Sequence, residues 1–321
     1  MSVDFSAVGL VVGHATDERG GTGLTVLRGA DAALRGGVCV FGRATGTREL
    51  ETLDPTHHSG RVDAVLLTGG SAYGLDAAAG VMRWMEERRR GFDVGQGVVP
   101  IVPAAVVFDL APLGDFRARP TPDMAYAACE SARATDVAEG SVGAGTGATV
   151  GKAAGRENAM KGGFGCAMRT VGDAVVCAAA VVNALGDVRS SNGTIIAGAR
   201  AKNGAFLDSA KLLSQLSTAP KFGAPVPTHT TLCVVATNKS LERSELAQLA
   251  RAAGAALFKR ITPVGTSFDG DVVFALCRPD AEPGVLLPLE LLAAAALEDA
   301  IERGVRLAVG RDGIPGLADG R

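Results

Sequence analysis

The chain has 321 residues, of which 47% are hydrophobic and 4% aromatic, and it contains 43 glycines. Its 32 Lys and Arg residues nearly balance 34 Asp and Glu residues, and this net charge of −2 argues against a surface that attracts a nucleic-acid backbone. The length and composition favour one compact α/β domain over residues 1–321, with an Ala, Val and Leu core and many tight turns.

The cysteines and the apolar segments indicate the cellular compartment to expect. The six cysteines are widely separated and form no CxxC pair, which is typical of buried thiols in a reducing environment. The N-terminus lacks a basic region followed by an apolar one. The longest apolar runs, 174–182 and 291–297, are shorter than the roughly 18 residues needed to span a bilayer. We therefore expect a soluble cytoplasmic protein.

Strand, turn and helix signals alternate in the first part of the chain. Residues 8–12 and 24–27 predict two short strands joined by a glycine-rich turn. Residues 62–67 predict a compact strand, and the glycine turn after it leads into a helix that ends near Gly91. Two prolines interrupt the apolar run 98–108, which predicts an irregular or edge strand.

The middle of the chain contains a helix signal, a glycine-rich segment and a strand signal. Thr121 and Pro122 fit the N-cap and the first residue of a helix. Residues 143–155 are rich in glycine and include a single lysine. Residues 174–182 predict a buried strand that ends at Asn183.

The last third of the chain begins with a segment that lacks helix or strand periodicity. Residues 200–229 are polar and rich in Ala and Pro, so the end of this stretch should be extended and exposed. Order then returns with a strand at 230–237, a helix from about 244 to 258 and a strand at 272–276. A final helix is predicted over 288–303, closed by Gly304.

The abrupt change before Thr230 is the most informative feature. A Pro-rich segment runs directly into a β-branched strand whose first residue carries a hydroxyl group. A cut there would give Thr230 a free α-amine, whose ordinary pKa of about 7.7–8.0 allows it to activate its own hydroxyl. From the residues alone, a Pro-rich loop before an ordinary strand is the better explanation, because most Thr-Thr pairs at strand starts are structural.

Four motifs in order resemble one known family. They are VVGHATD at 11–17, LTGGSAYGL at 67–75, TTLCVVAT at 230–237 and FDGD at 268–271. Together they resemble the L-aminopeptidase D-amidase/D-esterase family, which includes β-aminopeptidases and the nylon-oligomer hydrolase. The resemblance implies an αββα sandwich and a precursor that cleaves itself between His229 and Thr230. The fragments 1–229 and 230–321 would stay together and assemble into tetramers.

The resemblance also assigns site residues around Thr230. Lys152 would keep the Thr230 amine available as a base by depressing its pKa, and the Asn183 amide would donate to the developing oxyanion. Asp269 and Asp271 would hold ammonium groups, either those of Thr230 or Lys152 or the free N-terminus of a substrate. On the residues alone, Asp-Gly-Asp is more often a turn signal.

Further residues are expected to line the pocket or to mark departures from the family pattern. Ser71 and Tyr73 follow a glycine turn that is equally typical of a tight structural turn, and the resemblance places them near the pocket. Phe108 stands where some members have a tyrosine. His229 stands before the scissile bond, where Asn or Gly is expected.

The resulting prediction is a self-processing aminopeptidase or amidase that forms an acyl-enzyme on Thr230 and needs no metal or organic cofactor. Its substrates would be small peptides or amino-acid amides. An acyltransferase of related fold, moving an acetyl group to an acceptor such as glutamate, is one alternative. An unprocessed binding protein is another. No nucleotide site is expected, because the glycine-rich segment lacks a phosphate-loop spacing, and His57-His58 has no further histidine nearby to form a metal site.

Overall fold

The structure is a computed structural model that describes residues 3–111, 113–216 and 229–320. The longer strands are β1 Leu10–Asp17, β2 Thr22–Gly29, β3 Leu34–Val40, β6 Ala64–Thr68, β9 Ala104–Val106, β12 Gly163–Val171, β13 Ala174–Asn183, β14 Asp187–Arg189, β15 Ile195–Ala197, β16 Thr230–Thr237 and β18 Val272–Cys277. Two-residue strands are β4 Thr47–Arg48, β5 Arg61–Val62, β7 Phe92–Asp93, β8 Val98–Val99, β10 Thr149–Val150, β11 Met160–Lys161 and β17 Ile261–Thr262. The α-helices are α1 Ala78–Glu87, α2 Pro122–Ser131, α3 Ser209–Ser214, α4 Arg243–Ala253, α5 Ala255–Arg260 and α6 Leu286–Arg306.

Two sheets lie face to face between two layers of helices. The first sheet has the strand order β1-β2-β6-β9-β4, and the second has the order β12-β13-β16-β18-β3-β5. Helices α1 and α2 pack together against the first sheet, while α4 and α6 pack against the second. This arrangement confirms the predicted αββα sandwich.

The central core fills the space between the two sheets. Leu10, Val12 and Leu67 of the first sheet meet a buried layer from the second sheet that includes Leu232 and Phe274. Because apolar side chains point inward from both sheets and the helices cover the outer faces, both sheets are buried on two sides. This explains why β16 has no exposed position, although one face of most antiparallel sheets is polar.

Strand β16 occupies the middle of the second sheet. It pairs antiparallel with β13 on one side and parallel with β18 on the other. Residue Thr230, at its first position, is the register partner of Asn183 at the last position of β13. The end of the strand that carries the predicted nucleophile is therefore held by neighbours on both sides.

Several local predictions are confirmed. Strand β16 spans the predicted residues 230–237, and β13 ends at the predicted Asn183. Thr121 caps α2, with its hydroxyl accepting the Met124 amide at 3.3 Å. The Pro-rich residues 217–228 lie outside the described residues, so the expected extended conformation is not addressed by the structure.

Other local predictions were wrong in ways that tertiary contacts explain. The first two strands pair as the predicted strand-turn-strand unit but are longer than predicted. The run 98–108 is irregular as predicted, since β8 and β9 are separated around Pro100 and Pro103, but β9 lies inside the first sheet between β6 and β4 and not at an edge. The predicted helix over 244–258 is divided at Gly254 into α4 and α5. A Cβ at Gly254 would lie 2.0 Å from the Phe41 ring, so only glycine allows the close packing there.

The C-terminal helix was predicted too short. Helix α6 runs past Gly304 to Arg306, because this glycine sits at a helix-sheet contact and does not end the helix. None of the described helices is long and apolar enough to cross a membrane.

Candidate active site

The Thr230 hydroxyl lies directly beside the peptide bond that was predicted to be cut. Its Oγ1 donates a hydrogen bond of 2.7 Å to the carbonyl oxygen of His229, the preceding residue. The Thr230 residue is only 4% exposed. In the uncut chain, the hydroxyl is therefore held against its own upstream carbonyl and is closed to solvent and to external substrates.

The same carbonyl oxygen receives a second donor. The Gly270 amide donates to the His229 oxygen at 2.7 Å, from the turn that precedes β18. A Cβ at Gly270 would lie 2.7 Å from Thr230 Oγ1 and equally close to the Ala44 carbonyl oxygen. Glycine at this position therefore lets the backbone approach the hydroxyl and polarise the His229 carbonyl.

Asn183 and Lys152 form a hydrogen-bonded pair beside Thr230. The Lys152 ammonium donates to Asn183 Oδ1 at 2.8 Å and to the Asn183 carbonyl at 3.2 Å. Asn183 Oδ1 also accepts the Thr149 amide at 3.0 Å, which fixes the orientation of the side-chain amide. The Asn183 NH₂ group uses one of its two N–H donors to bond the Phe108 carbonyl at 3.3 Å.

Burial changes the acid-base behaviour of Lys152. Removal from water, followed by the nearby positive charge of Arg156, lowers the pKa of Lys152 to about 7. The charge of Asp269 opposes this change without cancelling it. An amine with such a pKa is present in both protonation states near neutral pH, which suits proton transfer.

The glycine-rich segment that carries Lys152 is anchored by a second buried lysine. The Lys161 ammonium donates to backbone carbonyl oxygens of Gly145, Thr146, Ala148 and Gly162 at 2.8–3.2 Å. Lys161 is fully buried. These four bonds fix the path of the segment that leads to Lys152.

Asp269 and Asp271 lie on either side of Gly270. Asp269 accepts the Thr266 amide at 2.7 Å, and Asp271 accepts the Thr231 amide at 2.6 Å. Burial raises the pKa of both carboxyl groups, and the negative charge of Asp269 adds to the rise for Asp271. Asp269 is also close enough to Lys152 for the lysine's positive charge to favour its ionised form.

His229 occupies a closed space next to the nucleophile. The residue is 0% exposed, and among the described residues neither ring nitrogen has a hydrogen-bond partner. Burial, together with the positive charges of Lys152 and Arg156, holds its pKa well below the ordinary value, so the imidazole is neutral. A buried polar ring without partners costs about 1–3 kcal/mol, which the fold tolerates here.

The three predicted pocket residues differ in how they are connected to the site around Thr230. Phe108 contacts Asn183 through its carbonyl group, and the Ser71 amide donates to the adjacent Val107 carbonyl at 3.0 Å. Tyr73 is 63% exposed and has the Arg119 guanidinium 4.4 Å from its ring centroid. The structure thus connects Phe108 directly to the site and Ser71 through the backbone, while Tyr73 lies on the surface.

Two features of the site were not predicted from the sequence. Gly270 is the middle residue of an Asp-Gly-Asp sequence that predicts a turn, and nothing in that pattern indicates a role for its amide. Arg156 follows the glycine-rich segment as an isolated basic residue. The only sequence signal for Arg156 is its spacing of four residues from Lys152. Spacing alone does not distinguish a pocket residue from a surface one.

Other candidate chemistries find little support among the described residues. Burial raises the pKa of the Cys233 thiol well above its ordinary value, so this cysteine, three residues after Thr230, stays protonated and unreactive. The described part of the chain contains no cluster of three or more His, Cys, Asp or Glu side chains that could hold a metal ion.

The sequence of the chain matches a known family over most of its length. The model of Peptidase family S58 matches residues 6–311. An uncharacterized aminopeptidase of Mycobacterium tuberculosis (strain ATCC 25618 / H37Rv) is 43% identical over 268 residues, which are 82% of this chain and 74% of the relative. A 6-aminohexanoate-oligomer endohydrolase of Agromyces sp. (strain KY5R) is 31% identical over 294 residues, covering 87% and 75% of the two chains.

A solved structure has the same fold. The L-aminopeptidase D-Ala-esterase/amidase from Ochrobactrum anthropi, described as a variant of the Ntn hydrolase fold, superposes with a TM-score of 0.69 at 18% identity. The match covers 96% of this chain and 88% of that one. With the family model matching nearly the whole sequence, the chain belongs to Peptidase family S58 and is a hydrolase.

Proposed function

We propose that the protein is a self-processing aminopeptidase or amidase in which Thr230 is the nucleophile of both maturation and catalysis. One observation carries the proposal: Thr230 Oγ1 and the Gly270 amide both donate to the His229 carbonyl oxygen, each at 2.7 Å. A hydroxyl group held beside a polarised carbonyl is prepared for attack on that carbonyl carbon.

Maturation would proceed by acyl transfer within the chain. Thr230 Oγ1 attacks the His229 carbonyl carbon, the C–N bond to Thr230 breaks, and the hydroxyl proton passes to the new α-amine. Water then hydrolyses the ester, which leaves a His229 carboxylate and a free Thr230 hydroxyl. The Gly270 amide, which already contacts the carbonyl oxygen, would stabilise the oxyanion formed in the first step.

The proton transfers need a base before the α-amine exists. Lys152 supports this role because burial lowers its pKa to about 7, and it is joined to Asn183, the register partner of Thr230. After the cut, the Thr230 amine takes over as the base for catalysis. The Asn183 amide lies beside it and is suited to donate to the oxyanion of a bound substrate.

In the mature enzyme, the substrate's acyl group would pass to Thr230 Oγ1 and then to water. Amides, esters and short peptides with a free amine are the substrates that this cycle fits, with Asp269 or Asp271 available to hold an ammonium group. The S58 relatives named as aminopeptidases support the same reaction class.

Two threonine variants test the nucleophile. Thr230→Ala should leave one uncut chain without activity on L-alanine p-nitroanilide, because no hydroxyl remains beside the His229 carbonyl. Thr231→Val is the matched control: it removes the hydroxyl of the next residue of β16, which does not contact the His229 carbonyl, and should still be cut and active. Cleavage of Thr230→Ala at the same bond would overturn the proposal, as would loss of cleavage in Thr231→Val alone.

A further inference from the structure

Lys161 is a buried cation that the proposed mechanism does not use. It lies on β11, where it is the register partner of Thr149 on β10. Its side chain is 0% exposed, and its ammonium donates to four backbone carbonyl oxygens. Lys239 and Lys259 form ion pairs, whereas none of the ion pairs within residues 3–111, 113–216 and 229–320 includes Lys161. Its charge is therefore held by carbonyl dipoles and not by a carboxylate.

The carbonyl oxygens favour the charged form of this lysine. Burial lowers the pKa of Lys161 to about 7, and the negative charge of Asp109 opposes this change. The ammonium supplies three N–H donors to the four carbonyl groups, where the neutral amine would supply two. Burying a charge without a carboxylate partner is costly, so a role for Lys161 should be sought in the geometry that its hydrogen bonds fix.

One of the four carbonyl groups connects Lys161 to the active site. The Ala148 carbonyl oxygen accepts the Lys161 ammonium at 2.8 Å and the Gly162 amide at 2.9 Å. The N–H group of the same peptide unit, that of Thr149, donates to Asn183 Oδ1 at 3.0 Å. The C=O and N–H groups of a trans peptide point in opposite directions, so one rigid planar unit joins the ammonium to the Asn183 side chain. A positive charge on the C=O side also strengthens the N–H group as a donor.

The bonds to Oδ1 determine which part of the Asn183 amide is free. Oδ1 accepts the Thr149 amide and the Lys152 ammonium. A rotated side-chain amide would present its own N–H groups to these two donors, so one orientation alone satisfies both. In this orientation one N–H of Asn183 bonds the Phe108 carbonyl, and the second is left for a substrate. Asn183 is also the register partner of Thr230.

We propose that Lys161 is a positioning residue of the oxyanion site. It holds the Ala148–Thr149 peptide unit, and this unit fixes the Asn183 amide so that its free N–H meets the oxyanion of the bound substrate. Because Lys161 acts through Asn183, its loss should lower the rate of the chemical step and leave substrate binding nearly unchanged. The inference rests on the proposed function, in which Asn183 donates to the substrate oxyanion.

The test is a double-mutant cycle between Lys161 and Asn183, measured as kcat and KM on L-alanine p-nitroanilide. Each variant is made from two co-expressed chains, residues 1–229 and residues 230–321 behind an initiator Met that is removed before Thr230. Catalysis is then measured independently of self-cleavage.

The two single variants and their combination have distinct expected results. Asn183→Ala should lower kcat by about 10²–10³-fold, the loss typical of one oxyanion donor. Lys161→Met should lower kcat by about 10²-fold, the cost of a displaced catalytic group, with KM changed by less than about 3-fold. In the Asn183→Ala background, Lys161→Met should lower kcat by less than about 3-fold, because the group through which it acts is already gone.

Two further variants separate positioning from a general loss of structure. Gln and Met side chains have equal length, and only Gln carries N–H donors, so Lys161→Gln should retain a higher kcat than Lys161→Met. Where Lys161→Met does not assemble, Lys161→Gln takes its place in the cycle. Leu249→Ala truncates a buried side chain of α4, which lowers stability, and should leave kcat unchanged in both backgrounds.

The outcomes distinguish the inference from the function on which it rests. An unchanged kcat in Lys161→Met would overturn the inference, as would equal fold-losses in kcat with and without Asn183, or a loss that appears in KM alone. The role of Asn183 would stand in each of these cases. A wild-type kcat in Asn183→Ala would overturn the proposed oxyanion donor and the inference together.

Discussion

At the scale of single residues, Gly270 controls how closely the backbone approaches the scissile bond. In Gly270→Ala, the new Cβ would lie 2.7 Å from Thr230 Oγ1, so the hydroxyl or the Gly270 amide must move away from the His229 carbonyl. We expect self-cleavage to slow by about 10²–10³-fold, the loss typical of removing one oxyanion donor. The measurement is the fraction of cut chain with time after cell-free synthesis.

The control for this change is Gly97→Ala, where an added Cβ meets no atom within 4 Å. It should be cut at the wild-type rate. If Gly270→Ala is cut equally fast and folds normally by circular dichroism, the Gly270 amide has no part in the reaction.

Lys152 gives a second prediction, which concerns pH. Its pKa is lowered to about 7, so the neutral amine, which can accept a proton, becomes dominant as the pH rises above that value. Self-cleavage of newly synthesised chain should therefore accelerate from pH 5.5 to about pH 8 and then level off.

Two substitutions of Lys152 distinguish a role in proton transfer from a role as a fixed positive charge. Lys152→Met lacks a titrating group, and Lys152→Arg keeps a charge that does not deprotonate, so both should lose cleavage. Normal cleavage by Lys152→Arg would show that a fixed positive charge suffices, and a rate independent of pH would contradict the role of Lys152 as a base.

The sequence was informative about some of these residues and silent about others for a physical reason. Thr230 was only a possibility at the start of a strong strand until the ordered family motifs made it the candidate nucleophile, and Lys152 and Asn183 were proposed from the same resemblance. The contribution of Gly270 depends on a backbone amide that reaches the His229 carbonyl. This property is not encoded in residue type or local spacing, since it arises only when distant segments meet.

At the scale of elements, glycines determine how closely α6 packs on the second sheet. A Cβ at Gly165 of β12 would lie 2.2 Å from the Ala300 carbonyl and 2.3 Å from the Gly304 amide nitrogen. A Cβ at Gly304 itself would meet its nearest atoms at 3.1 Å, a distance that small shifts can relieve. The two glycines face one another but tolerate change very differently.

We therefore expect Gly165→Ala to lower the free energy of unfolding by about 2–3 kcal/mol, because backbone atoms of α6 must move. Gly304→Ala should change it by less than about 1 kcal/mol, since the steric cost is offset by the better helix propensity of alanine. Urea denaturation of both variants in the uncut Thr230→Ala background measures the difference. Equal effects would contradict the close contact between β12 and α6.

The same contact explains an error at the level of elements. Gly304 resembles a helix-ending signal in the sequence, and Gly254 resembles a residue inside a helix, whereas the structure reverses both interpretations. Periodicity located α1, α4, α6 and the strand β16 because it depends on local neighbours, but it missed the short helix α3. The helix boundaries near Gly254 and Gly304 depend on contacts with Phe41 and with β12, which are remote in sequence.

At the scale of the whole molecule, the proposed cut would divide a sheet in which the two strands of one fragment lie between strands of the other. Strands β16 and β18 come from residues 230–321, and their partners β13 and β3 come from residues 1–229. Each fragment would therefore bury its strands only in the presence of the other. No local pattern in the sequence predicts this interleaving, although the family resemblance implied that the fragments stay together.

We expect the two fragments to elute together in native gel filtration and to separate only in denaturant. Removal of the denaturant from an isolated fragment should leave it aggregated or unfolded, because its strand edges lack partners. Two separately eluting folded fragments would contradict this arrangement. The apparent mass in the same experiment also tests the tetramer implied by the resemblance, which stays a prediction.

The most direct test of the central claim is the intact mass and N-terminal sequence of the purified wild-type protein under denaturing conditions. The account predicts two chains, one ending at His229 and the other beginning Thr230-Thr231-Leu232. A single chain of 32.5 kDa that stays unchanged on long incubation would contradict it.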